Sequence, residues 1–96
     1  MYKKLLEKNI KLINKLGLHA RASAKLVNLA ERFESEVYLV REDNQLIASS
    51  KSIMGLMMLA APCGTAFILR AEEGPDSETA IQAILDLINN KFGEES

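Results

Sequence analysis

The sequence predicts an α+β fold, an open-faced two-layer β-sandwich in which a four-stranded, mainly antiparallel sheet carries three helices on one face. Three observations predict it. The strand-like segments alternate apolar and polar residues instead of running continuously apolar, which favours antiparallel or mixed pairing. The helical segments each show a single apolar stripe, so each has one face to bury and the opposite sheet face is left largely open. The elements also follow one another as β-α-β-β-α-β-α, with no repeat, low-complexity tract or linker.

Asn9 to Asn14 (NIKLIN) puts Ile10 and Leu12 inward and Lys11 outward, as a strand does. Residues 20–33 follow a helical period, with Ala22, Leu26, Leu29 and Phe33 on one stripe and Val27 and Ala30 beside it. Glu36 to Arg41 (EVYLVR) is rich in strand formers, and Val37 and Leu39 are expected to face the core. The polar turn Glu42-Asp43-Asn44-Gln45 leads to a second hairpin strand around Leu46 to Ser49. Lys51 to Leu59 reads as a short helix with Ser52 as N-cap, weakened by an internal Gly55. After Pro62-Cys63-Gly64, Thr65 to Ala71 forms a strand with Phe67, Leu69 and Ala71 on one face. Gly74-Pro75-Asp76 makes a turn and cap. The last helix carries Ile81, Ile84, Leu85, Ile88 and Phe92, and ends near Lys91, before Gly93.

The chain has 96 residues, enough for one domain (1–96) with a single modest core. Twelve Lys and Arg against thirteen Asp and Glu leave a net charge of −1, so no global basic field is present to hold nucleic acid or an anionic membrane. No apolar run is long enough to span a bilayer, and MYKKLLEKN lacks the long apolar region of a signal peptide, from which a cytoplasmic protein is expected. Cys63 is alone, which fits a reducing compartment and leaves no zinc site; a buried or incidental thiol is expected. No cofactor and no metal are expected.

The stretch Gly17-Leu18-His19-Ala20-Arg21-Ala22-Ser23 holds the one histidine of the chain. If His19 caps the helix that starts at Ala20, the unpaired amides of Ala20 and Arg21 point outward beside its ring. With the positive end of the helix dipole they make an anion site suited to phosphate. The same positive end disfavours imidazolium, so a neutral, nucleophilic ring is expected. Arg21 offers planar donors to phosphoryl oxygens, and Gly17 lets the backbone approach closely. The competing reading is a helix-end histidine with only local hydrogen bonds. A general acid–base enzyme is disfavoured, because no second acid, nucleophile or metal-ligand cluster is expected near His19.

This stretch, with KSIMGLM at residues 51–57 and the order of elements, resembles the histidine-containing phosphocarrier (HPr) family of the bacterial phosphoenolpyruvate-dependent phosphotransferase system. The resemblance spans nearly the whole chain. The family pattern is Gly-Leu-His-Ala/Thr-Arg-Pro-Ala/Ser, and the chain departs from it at Ala22, where proline is usual. Alanine restores a donor and is a good helix former, and losing the ring costs about 0.4–1 kcal/mol of rigidity. The resemblance implies a phosphoryl carrier, not an enzyme, which takes phosphate from enzyme I on Nδ1 of His19 and passes it to enzyme IIA domains for sugar uptake. It further implies a regulatory phosphorylation of Ser52 by a dedicated kinase/phosphorylase, beside that residue's reading as a plain N-cap.

Ile53, Met54 and Met57 are expected on the exposed side of the short helix, with Leu56 and Leu59 in the core. The resemblance makes the exposed three a docking patch for those enzymes, deformable enough to meet several partners. Met58 reads as core. Lys25 and Lys51 read as solvated lysines. A monomer is expected, binding no nucleic acid and inserting in no membrane. Two alternatives stay open: a regulatory carrier of the nitrogen-linked branch, and a protein-interaction module with no covalent chemistry.

Overall fold

Alternation along the strands resolves into one four-stranded sheet in the computed structural model, which describes residues 4–96. The elements are β1 (Leu5–Lys11), α1 (Ala20–Ala30), β2 (Tyr38–Arg41), β3 (Ile47–Ser49), α2 (Ile53–Met58), β4 (Ala66–Glu72) and α3 (Ser77–Asn89), with a final 3-10 turn at Lys91–Gly93. The sheet order is β1-β4-β2-β3 and every neighbouring pair is antiparallel. The expected fold class and element order are those observed.

One core joins the helices to one sheet face. Leu26 and Ala30 of α1, Leu56 of α2 and Ala80, Ile81, Ile84 and Ile88 of α3 meet Leu39, Phe67, Leu69 and Ala71 of the sheet. Each fully buried large side chain contributes about 1.5–3 kcal/mol relative to exposure. On the other face Tyr38 and Ile47 stay exposed, while Val40 is buried where its register neighbours are Ile47 and Ile68.

Several element ends differ from the sequence reading. β1 runs Leu5–Lys11, four residues earlier at its start than Asn9. Lys8 pairs with core-facing Leu69 and so stands among the inward positions of Leu6 and Ile10, which hides the alternation of this edge strand. Residues 12–14 have left the sheet, although Leu12 stays buried. Helix α1 stops at Ala30 because the amides of Arg32 and Phe33 bond three residues back, to Leu29 and Ala30, tightening the last turn. Asp76 begins α3 without capping it by its side chain. Its carboxylate instead accepts from the amides of Glu34 and Ser35 at 2.8 and 3.1 Å and from the Ser35 hydroxyl at 2.5 Å. Asp76 thus ties the α1–β2 loop to the start of α3.

Candidate functional site

The chain is pinned immediately before His19. Leu12 bonds to Thr65 O and accepts from the Gly64 amide, at 2.9 and 2.7 Å. The buried Asn14 donates its side-chain amide to Gly17 O at 2.8 Å, and the Leu18 amide bonds to Ala61 O at 2.9 Å. Gly17 takes φ +69°, a left-handed conformation that glycine enters without steric cost. The close backbone approach it permits is to Ala61 and Pro62, a structural contact distinct from the ligand approach expected from the sequence.

His19 then enters α1 as its N-cap residue, at φ −78° and ψ 179°. Its carbonyl accepts the first helical bond, from the Ser23 amide at 2.8 Å. The amides of Ala20, Arg21 and Ala22 precede that bond and are left without helical partners. The ring makes no capping bond with them. It is neither sealed nor fully open, with 26% of the side chain exposed. Arg21 is exposed and forms no hydrogen bond or ion pair among the described residues.

An acid does stand beside His19, contrary to the sequence reading. Nε2 of His19 lies 2.5 Å from Oε2 of Glu94, 75 residues along the chain. The other carboxylate oxygen of Glu94 accepts from the Asn14 amide at 3.0 Å. Burial opposes ionisation of Glu94, but the Asn14 and His19 hydrogen bonds, with the charges of His19 and Lys25, outweigh it and hold the carboxyl below its ordinary range. An ionised carboxylate only accepts, so Nε2 is the protonated nitrogen, and in the neutral ring the lone pair belongs to Nδ1.

The tail reaches this position through an unusual reversal. Lys91, Phe92 and Gly93 take φ values of 56°, 55° and 78°, all left-handed. That turn buries the Phe92 side chain, 1% exposed, in the core although α3 has already ended at Asn89. The Lys25 ammonium donates to Phe92 O at 2.6 Å, and the Lys15 amide to Ser96 O at 2.9 Å. Lys25 is exposed, as expected, and its ammonium also tethers the tail. Lys51, expected as solvated, is half-buried and donates to Phe33 O at 2.7 Å, in the loop that follows α1. The signal for Glu94 was faint: a polar GEES tail reads as solvated unless the burial of Phe92 is known.

Ser52 caps α2, its hydroxyl accepting from the Gly55 amide at 3.0 Å. Gly55, read as a weakness, makes room for that hydroxyl, since a Cβ there would stand 3.0 Å from Oγ. Ile53, Met54 and Met57 are 44%, 71% and 47% exposed while Leu56 and Leu59 are buried, as expected. Met58 is 74% exposed and not core, because a two-turn helix buries only the side on which Leu56 and Leu59 lie. It enlarges the apolar surface of α2, which packs beside α1. Cys63 is exposed rather than buried, in the loop before β4.

A model of the phosphotransferase-system HPr component phosphorylation site matches residues 6–90. The chain belongs to the HPr family. Curated HPr phosphocarriers of Cupriavidus necator and Neisseria meningitidis serogroup A are 52% and 50% identical to it over 90 residues, covering 94% of this chain and 98% of each relative. An HPr crystal structure from Thermoanaerobacter tengcongensis superposes with a TM-score of 0.84 at 43% identity, covering 95% of this chain and 99% of that one. The family-model match ends at residue 90, before Phe92 and Glu94. No helix among the described residues is long and apolar enough to cross a membrane.

Proposed function

We propose that this HPr-family chain carries a phosphoryl group on Nδ1 of His19, taking it from enzyme I and passing it to enzyme IIA domains in the cytoplasm. The observation that carries the reading is the state of the ring: partly exposed at the N-terminus of an eleven-residue helix, with Nε2 already engaged by Glu94 and Nδ1 left as the nucleophile. The Nδ1 lone pair forms the N–P bond while the bond from phosphorus to the donor breaks, its electron pair leaving with the donor. The free amides of Ala20, Arg21 and Ala22 and the guanidinium of Arg21 supply donors for the phosphoryl oxygens. Ile53, Met54 and Met57, with Met58, offer the apolar docking surface, deformable enough for successive partners.

Regulation at Ser52 belongs to the same reading. A phosphate on Oγ would add nearly two negative charges next to that docking surface and weaken binding to apolar or acidic partners.

Incubation with enzyme I and labelled phosphoenolpyruvate tests the carrier role. Carriage gives label that is acid-labile, alkali-stable and absent from His19→Ala. Label that survives acid and disappears in Ser52→Ala moves the chemistry to the serine, and no label at all leaves an interaction module.

A further inference from the structure

We infer that Glu94 is a positioning residue for phosphoryl transfer, holding the His19 ring in the Nε2-protonated form and balancing the charge the ring acquires when Nδ1 is phosphorylated. The inference rests on the carrier reading above and deepens it.

The contact is built from several sides. Glu94 Oε2 meets Nε2 at 2.5 Å, Oε1 is held by Asn14, and Asn14 is itself fully buried and bonded to Gly17 O. The backbone on either side is anchored by the buried Phe92, by Lys25 on Phe92 O and by Lys15 on Ser96 O. The Glu94 side chain is 14% exposed, well shielded for a residue two positions before Ser96. Two consecutive non-glycine residues, Lys91 and Phe92, are held in left-handed backbone to deliver it.

The chemistry gives this contact a use. When Nδ1 forms its bond to phosphorus and the donor departs with its electron pair, Nε2 keeps its proton and the ring becomes an imidazolium bearing a phosphoryl group. A carboxylate on Nε2 gains attraction as that charge develops, so it favours the transition state over the neutral ring. On donation the N–P electron pair returns to Nδ1, and the ring leaves as the same neutral tautomer with no proton to move. An Nδ1-protonated ring has no lone pair at the attacking position, and an acceptor on Nε2 excludes that form.

The test combines ring-nitrogen NMR of 15N-labelled protein with the rate of label uptake from phosphorylated enzyme I, in the full chain and in Glu94→Ala, Glu94→Gln and Glu94→Asp. The unaltered protein is expected to show one tautomer, protonated on Nε2, with a slowly exchanging proton. Glu94→Ala is expected to admit the Nδ1-protonated form and to accept phosphoryl about tenfold more slowly. Glu94→Gln keeps an accepting oxygen without charge, so it should retain the tautomer while its rate falls between the two. Glu94→Asp should recover part of the rate. Equal tautomer and rate in Glu94→Ala and the unaltered protein would overturn the inference. Absence of label from the unaltered protein would refute the carrier reading and the transfer role of Glu94 together, while the NMR arm separately decides whether Glu94 holds the ring.

Discussion

Gly17 and Ala61 meet backbone to backbone: a Cβ on Gly17 would stand 2.4 Å from the Ala61 carbonyl oxygen, the same oxygen that the Leu18 amide binds at 2.9 Å. The segment leading to His19 is therefore set against the α2–β4 connection before the helix begins. Gly17→Ala must relieve both this clash and a left-handed backbone. It is expected to cost about 2 kcal/mol or more, read as a lower urea midpoint with an unchanged slope.

Asn14 links the turn to the tail, donating to Gly17 O and to Glu94 Oε1. Asn14→Ala leaves those acceptors short of a donor in a buried place and is expected to cost about 1–3 kcal/mol. The loss should appear in urea unfolding together with faster exchange of the His19 Nε2 proton. Equal exchange rates would show that Glu94 holds its place without Asn14.

Phe92 anchors the reversal that brings the tail back. Phe92→Ala empties a fully buried site and is expected to cost about 3–5 kcal/mol. Hydrogen exchange should locate the added mobility at residues 91–96 as well as in the core; protection of the Glu94 amide, which bonds to Lys91 O, is the local readout.

Ser52→Ala removes the N-cap of α2 and is expected to cost about 1 kcal/mol, lowering the melting temperature by about 4–8 °C. Label uptake at His19 should be retained in this variant. A melting temperature equal to that of the parent would mean that water replaces the cap.

Acid should loosen the tie made by Asp76. The Ser35 hydroxyl and the Glu34 and Ser35 amides outweigh the small desolvation of Asp76 and hold its carboxyl below its ordinary range. A depressed carboxyl contributes stability above the unfolded value, near 3.9, and that contribution is lost as pH falls through the lower folded value. Stability differences between the parent and Asp76→Ala are therefore expected to be largest near neutrality and to shrink below about pH 4. Urea midpoints measured across that range check it.

The elements legible in the sequence are those whose periodicity reports their own burial. Ile81, Ile84 and Ile88 mark α3, Phe67, Leu69 and Ala71 mark β4, and Leu26 and Ala30 mark α1; all are buried as their spacing predicts. The exceptions have local causes. In β1, Lys8 stands on the core-facing side of an edge strand, so alternation starts late when read from residue types alone. Met58 looks apolar enough for the core, yet a six-residue helix has room for Leu56 alone on its buried side.

By itself the sequence determined the fold class, the order of elements, the helix start at His19 and the apolar exposed side of α2, because each follows from neighbours within a few positions. Only the tertiary structure decided that Lys25 and Lys51 tie element ends, that Asp76 reaches the α1–β2 loop, and that Glu94 meets His19. Those contacts join residues 18 to 75 positions apart, and each depends on packing elsewhere, as Glu94 depends on the burial of Phe92. A local pattern carries no record of where a chain end returns, so the partner of the histidine becomes visible only once the core has folded around it.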